Sequence, residues 1–262
     1  MPIHSTQQRG FNLIELIVTI TVIGLIMTGT IAYITNSVTA YSATARRDQL
    51  TSLGRTAVEK VARDLRGALP NSVRVSNNCI EFFPTLGGSI YLTLPVDTSA
   101  STFTAVDFTL TSYTGSASVV VYPYNTNALY SAGDPGPLAG YASKAGAPTT
   151  TVTLSATHQF AKQAPQQRFY LVAAPVSYCL VGTDLLRYAN YGIHATQSTP
   201  PASGSTLVAQ NIQTVDGAST VTPFSYSPGT LRRSSVVTLD FRFLIDGEWI
   251  RLSHEVHIQN VL

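Results

Sequence analysis

A stretch without charge near the N-terminus constrains this chain more than any other feature of its sequence. No Asp, Glu, Lys or Arg occurs from Leu16 to Ala45, and the residues from Phe11 to about Ile34 are mostly apolar. A helix that crosses a membrane needs about 20 such residues. The sequence therefore predicts a transmembrane helix over residues 11–34.

A short polar segment, residues 1–10, precedes this helix and ends in Arg9-Gly10. An ordinary secretory signal has the opposite order, with its apolar core before the cleavage site. Cleavage after Gly10 would remove the polar leader and leave the apolar helix on the mature protein.

Glu15 is the only charged residue within the apolar helix. A carboxylate in such a helix costs about 2.5–3.5 kcal/mol at mid-membrane and less near an end. Groups of this kind are functional candidates that need a partner. The alternative is a carboxylate that reaches the lipid headgroups from the start of the helix.

The helical pattern continues beyond the apolar segment. A stripe of apolar residues recurs at spacings of three and four, at Leu50, Leu53, Ala57, Val61, Leu65 and Ala68. Gly67 and Pro70 indicate the end of the helix. We therefore expect one helix over residues 11–69, in which the amphipathic part, residues 35–69, packs on the rest of the chain. Gly54 is a soft point of this helix.

The remainder, residues 70–262, has the pattern of a β-rich head. Short β-branched and aromatic runs alternate with turn residues, and Asp246-Gly247 between two alternating segments predicts a hairpin. Residues 124–150 and 195–206 are rich in Gly, Pro and Ser and are predicted to be long loops. The expected fold class is α+β, with a long N-terminal helix packed on an antiparallel β-rich head.

Composition excludes some functions and favours one covalent link. The net charge is +2, without a basic cluster, so we expect no nucleic-acid binding. The two cysteines, Cys79 and Cys179, do not form a CxxC motif, which disfavours a thiolate zinc site. One Cys79–Cys179 disulfide in an oxidising compartment is favoured over two unrelated buried thiols.

The segment Gly10-Phe11-Asn12-Leu13-Ile14-Glu15-Leu16 resembles the class III signal of type IV prepilins and type II secretion pseudopilins. The resemblance implies that a prepilin peptidase cleaves between Gly10 and Phe11 and methylates the new Phe11 amine. It also implies that Glu15 pairs with the Phe11 amine of a neighbouring subunit, which offsets the desolvation of the carboxylate. The implied location is the inner membrane of a Gram-negative-type bacterium, in a single pass, with the head in the periplasm and later on the pilus.

A narrower resemblance runs through the stalk and head. Several patches together are similar to the large minor pilins of mannose-sensitive haemagglutinin (MSHA) type pili: residues 66–74, 79–82, 177–179, 186–188 and 254–261. Many major pilins carry a proline where this chain has Ala32, which also favours a minor pilin or pseudopilin.

The sequence offers no catalytic constellation, so we expect neither an enzyme nor a bound cofactor or metal. His254 and His257 lie in an alternating segment and are expected on opposite faces of a strand, where they cannot share a metal. Tyr122, Tyr124 and Tyr130 are candidates for a binding face, with ordinary packing as the alternative.

The interpretation is a minor pilin that initiates, caps or decorates a type IV pilus of MSHA type. The alternatives are an adhesive tip that binds a surface ligand through head loops, or a minor pseudopilin of type II secretion. The implied partners are the prepilin peptidase, other pilin subunits, the inner-membrane assembly platform and, through residues 11–34, the membrane.

Overall fold

The computed structural model describes residues 10, 12–110, 113–216, 219–229 and 233–258. Within them lie a long helix, α1 (Leu13–Arg66), a one-turn helix, α2 (Thr126–Ser131), and a set of strands whose ladders are all antiparallel. A long apolar N-terminal helix with an antiparallel β-sheet head confirms the predicted α+β class.

Helix α1 begins after Asn12, whose carbonyl oxygen accepts hydrogen bonds from the backbone N–H groups of Glu15 at 3.0 Å and Leu16 at 3.2 Å. No proline occurs within the helix, so its hydrogen-bond ladder is not interrupted. Hydroxyl groups such as those of Thr19 and Thr30 donate to carbonyl oxygens one turn earlier. Their polar atoms are therefore satisfied without water or a second chain.

The chain divides into two compact units, with residues up to Gln49 in the first and residues from Leu50 onward in the second. The amphipathic end of α1 belongs to the second unit and buries one face there, formed by Leu50, Gly54, Ala57, Val58, Val61, Ala62 and Leu65. Leu53, which was expected on this face, is 39% exposed. The helix ends at Arg66, three residues before the predicted end, and Ala68 is buried beyond it.

Two sheets cover the buried face of α1. The first has the order β1-β2-β9-β10-β11, formed by Arg74–Ser76, Cys79–Phe82, Val176–Val181, Asp184–Tyr188 and Ser205–Ala209. The other has a central β16 (Ser235–Ile245), flanked on one side by β12 (Ile212–Gln213) and β15 (Phe224–Ser227) and on the other by β17 (Glu248–Ile258). One apolar core contains side chains from α1 and both of these sheets.

A six-stranded sheet forms a separate part of the second unit. Its order is β3-β8-β5-β6-β7-β4, formed by Thr85–Ile90, Arg168–Ala173, Ala117–Val121, Leu138–Ala145, Thr149–His158 and Ala100–Val106. A bridge between Tyr91 and Ala105, with a hydrogen bond from the backbone N–H of Leu92 to the carbonyl oxygen of Thr104, joins the two end strands. The sheet is therefore closed into a small barrel, whose interior holds Phe103, Phe160 and Phe169.

The remaining strands, β13 (Val215–Asp216) and β14 (Ser219–Thr220), form a short ladder of their own. The predicted hairpin is confirmed, because β16 and β17 pair along their whole length and are joined by Asp246 and Gly247, both with positive φ.

The prediction of a loop over 124–150 was wrong, since α2, β6 and the start of β7 lie there. In the other predicted loop, 195–206, only the last two residues belong to a strand, β11. Glycine, proline and serine suggested irregular structure in 124–150, but pairing with β5 and β7 supplies a ladder for β6.

Candidate functional site

The proposed processing and assembly residues lie at the start of α1. Gly10 is exposed, and a side chain built at its Cα would meet no other atom within 4 Å. Glu15 is exposed in the first turn, where the helix dipole favours a negative charge. Residues 1–9 and Phe11 lie outside the described residues. The fold therefore places no internal demand on Gly10 or on the Glu15 side chain.

The first unit presents an apolar surface. Every large apolar side chain from Leu13 to Tyr41 is exposed, with fractions from 48% at Ile17 to 78% at Tyr41. An 18-residue window of the helix is apolar enough to cross a membrane, and none of that window is buried. A helix that is apolar all round requires lipid or other apolar helices around it. The described residues thus contain one helix that is long and apolar enough to serve as the predicted single-pass anchor.

A disulfide joins two strands of the second unit. Cys79 in β2 lies directly opposite Cys179 in β9, with the Cα atoms 4.1 Å apart, and the two sulfur atoms are bonded. Both residues are buried, with Tyr188 packed against them. The Nε2 atom of Gln197 donates a hydrogen bond to the carbonyl oxygen of Cys79, so the segment after β10 covers this bond.

A buried carboxylate lies next to the disulfide. Glu81 in β2 is 1% exposed; it contacts Arg74 Nε at 2.5 Å and accepts a hydrogen bond from the Tyr191 hydroxyl at 2.7 Å. The Arg74 guanidinium lies 3.6 Å from the centre of the Tyr130 ring and donates to the carbonyl oxygens of His194 and Ala195. This network fixes the segment after β10 to the first sheet. Its satisfied charges indicate a structural role rather than a reactive group.

A second polar link joins α1 to the same sheet. Asp64 accepts hydrogen bonds from the Tyr178 hydroxyl at 2.7 Å and from Arg187 Nε at 3.1 Å. Burial raises the pKa of Tyr178, and its hydrogen bond to the Asp64 carboxylate raises that pKa further. Burial also raises the pKa of Tyr191, with the Glu81 carboxylate as the second cause, and the same two causes raise the pKa of Tyr130.

The residues considered for other chemistry do not converge. His254 faces inward from β17 and His257 is exposed on the other face, as the alternation predicted. Among the described residues no group of His, Cys, Asp or Glu side chains is arranged to hold a metal ion. Tyr130 is buried, which favours the packing alternative for this residue, whereas Tyr124 is exposed at 37%.

The second unit also contains concave surfaces. One is a groove of about 590 Å³ between the end of α1 and β17. Another is a cavity of about 650 Å³ on the barrel, with Leu86, Leu110, Leu171, Tyr113 and Tyr141 among its lining side chains. Small-molecule sites are usually concave and mostly apolar. The lining of this cavity carries no charged side chain among the described residues, so it suits a neutral ligand.

Sequence reasoning predicted the Cys79–Cys179 disulfide, which is present, and selected Gly10 and Glu15, whose roles stay predictions. It missed the links that Asp64 makes to Tyr178 and Glu81 makes to Tyr191, because these partners are 114 and 110 positions away and no local pattern marks them. No protein-family model, characterised protein or solved structure matches this chain.

Proposed function

We propose that this chain is a type IV pilin-like subunit that is processed, anchored in the inner membrane and incorporated into a filament. The observation that carries the proposal is the exposed apolar surface of residues 13–41 with a single carboxylate, Glu15, in its first turn. A plain membrane anchor has no need of that carboxylate, whereas a helix that later packs among identical helices can use it as a specific contact.

Processing follows from the resemblance around Gly10. A prepilin peptidase would cleave between Gly10 and Phe11 and methylate the Phe11 amine. A Cβ atom at Gly10 would meet no atom of the described residues within 4 Å, which favours recognition by the enzyme over packing as the reason for its small size. The head then lies in the periplasm, where Cys79 and Cys179 are oxidised.

Assembly follows from the charge of Glu15. The ammonium group of Phe11 in a neighbouring subunit is a partner of opposite charge, and pairing offsets the cost of keeping both groups among apolar helices. Exposed apolar side chains such as Ile17 and Leu25 then pack against neighbouring helices in the filament.

The first test is the N-terminus of the mature protein. We expect N-terminal sequencing of the membrane-extracted protein to begin at methylated Phe11, and Gly10→Leu to retain the leader. Gly29→Leu is the matched control, since it also places a side chain where no atom lies within 4 Å. A mature protein that retains Met1, or that is cut within the apolar helix, contradicts the class III assignment.

The second test separates anchoring from assembly. Glu15→Val removes the cost of inserting a carboxylate, which is about 2.5–3.5 kcal/mol at mid-membrane and less near an end of the helix. The protein should therefore still enter the membrane. It should be lost from sheared filaments, because the neighbouring amine has no partner. Thr30→Val is the control, since that hydroxyl only bonds its own helix. Equal incorporation of Glu15→Val and wild type would show that the pairing role is wrong.

Within the family, we propose a minor pilin of MSHA type, on the patches that include Arg74, Glu81, Tyr178 and Arg187; a minor pseudopilin is the alternative. An adhesive tip is the second candidate, favoured by the cavity on the barrel, whose described lining carries no charged side chain. Deleting residues 124–150 would remove β6 from the barrel, so substitution of the exposed Tyr113 is the better test. Filaments that form normally but no longer adhere in Tyr113→Ala cells would support the tip, whereas unchanged adhesion would contradict it.

A further inference from the structure

We propose that the outer edge of β17 and the adjoining groove along α1 bind an extended, acidic segment of a partner protein by strand addition. All residues of this surface lie in the second unit, and its binding is independent of the proposed function. The surface is defined by the direction of the β17 backbone groups, by the shape of the groove and by the charges along it.

The outer edge of β17 can be assigned residue by residue. In β16, the N–H groups of Asp240 and Leu244 donate to Pro223 and Asn211, on the side away from β17. Hydrogen bonds alternate along an antiparallel strand, so Phe241 and Phe243 bond to β17 through their partners Leu252 and Ile250. Leu252 and His254 direct their backbone groups towards β16. The backbone groups of Ser253, which lies between them, therefore point outward from the sheet, and those of Glu255 do the same.

This edge lacks three of the features that commonly prevent pairing, namely a short length, a bulge and a proline, although the exposed Arg251 and Glu255 place charges along it. β17 has 11 residues and contains no proline, and its register with β16 is continuous over the whole strand. Sheet edges are commonly protected by short strands, bulges or prolines. The edge strand β11 shows the contrast, with five residues and a register shift against β10. The edge of β17 is thus a suitable template for an added strand.

The groove beside the edge has the dimensions of an extended segment. Its helical wall is one face of α1, with Val58 and Ala62 at the bottom, and its other wall is Leu252, Ser253 and His254. From Arg55 to Arg66 the helix rises about 16 Å. A strand covers that length with about five residues. The strand wall consists of three residues, so a segment that pairs there with β17 would lie beside part of this helical wall.

The charges along the groove select an acidic occupant. The groove is lined by three guanidinium groups, those of Arg55, Arg63 and Arg66, and by one carboxylate, that of Glu59. All four side chains are exposed. In the described part of the chain none of the three guanidinium groups forms an ion pair. Glutamate or aspartate side chains on the added strand would supply the missing opposite charges.

A second copy of this chain fits the groove less well. Two copies related by a twofold axis present the same patch to each other. Pairing of β17 with β17 would bring the arginines of the two grooves to the same interface, where like charges repel. The groove therefore favours a different protein with an acidic strand.

The test uses the full chain in detergent and a fluorescein-labelled heptapeptide that alternates glutamate with valine. We expect saturable binding by fluorescence anisotropy that weakens with salt, and slower hydrogen exchange at the amides of Ser253 and Glu255. A peptide with lysine in place of glutamate should bind at least tenfold more weakly. An acidic peptide whose amides are N-methylated on the side that pairs with β17 should also lose binding, because those amides can no longer donate hydrogen bonds to β17.

Substitutions identify the two halves of the surface. Arg55→Glu with Arg63→Glu should weaken peptide binding roughly tenfold, whereas Lys60→Glu, an exposed change outside the groove, should not. Ser253→Pro removes an outward N–H and should abolish binding without unfolding the sheet, as an unchanged melting temperature will show. The proposal is overturned if no peptide binds at millimolar concentration, if these variants bind as well as wild type, or if sedimentation shows that the chain pairs only with itself.

Discussion

Tyr178 donates a hydrogen bond of 2.7 Å to Asp64, and this contact joins strand β9 to helix α1 across 114 positions of sequence. Arg187, which lies opposite Tyr178 in the β9–β10 ladder, bonds to the same carboxylate oxygen. The side chains of two adjacent strands thus converge on one residue of the helix. Asp64 fixes the helix on the sheet at a defined position, which apolar packing alone specifies less well.

Removing the Tyr178 hydroxyl should destabilise the second unit. We expect Tyr178→Phe to lower the free energy of unfolding by about 1.5–3 kcal/mol, the range for hydrogen bonds to charged groups. Tyr188→Phe is a matched control, because Tyr188 is also buried and its hydroxyl makes no hydrogen bond in the described part of the chain. Denaturant titration of both variants measures the difference, and equal losses would show that the contact with Asp64 contributes nothing.

The buried tyrosines predict alkaline sensitivity. The pKa values of Tyr130, Tyr178 and Tyr191 are raised in the folded state, mainly by burial. The unfolded chain loses these protons near pH 10, so stability is complete below that pH and falls as the pH rises above it. Each tyrosine contributes a slope of about 1.4 kcal/mol per pH unit.

Unfolding titrations between pH 9 and pH 11 test this dependence. Tyr191→Phe should reduce the slope of unfolding free energy against pH by the contribution of one tyrosine, about 1.4 kcal/mol per pH unit. Tyr113→Phe, at an exposed position, should leave the slope unchanged. A stability that does not change between pH 9 and pH 11 would contradict the assignment.

The disulfide should stabilise the second unit without affecting anchoring. Closing a loop of about 100 residues is worth up to ~4.7 kcal/mol in the chain-entropy model. We expect Cys79→Ser with Cys179→Ser to lower the melting temperature of the protein while the membrane-bound fraction stays constant. Peptide mapping under non-reducing conditions should recover a linked Cys79–Cys179 peptide, and two alkylated thiols in protein from an oxidising compartment would refute the bond.

Gly54 should be required for the packing of α1 on the sheet around β16. A Cβ atom there would overlap Leu252 and lie 3.1 Å from Phe243. We expect Gly54→Ala to destabilise by about 1–3 kcal/mol, the usual cost of overpacking. Leu252→Ala in the same protein should recover part of the loss. Gly24→Ala, in the exposed part of the helix, is the control and should cause no loss in the same unfolding measurement.

Local patterns in the sequence were sufficient for several elements of this protein. The long apolar helix follows from a run of uncharged residues, and the β16–β17 hairpin follows from alternation around Asp246-Gly247. These predictions succeeded because each depends on residues that are close in sequence. The assigned roles of Gly10 and Glu15 also depend on spacing within one segment, but they remain predictions.

Tertiary structure decided the rest. The barrel closes through Tyr91 and Ala105, Glu81 is neutralised by Arg74 and bonded to Tyr191, and Gly54 is a packing position rather than the soft point predicted from its residue type. A composition rich in Gly, Pro and Ser misidentified β6 as a loop, because strand formation there depends on its neighbours in the sheet. Backbone pairing and the burial of charge are properties of residues brought together by the whole fold, and periodicity along the chain carries no information about which distant partners will meet.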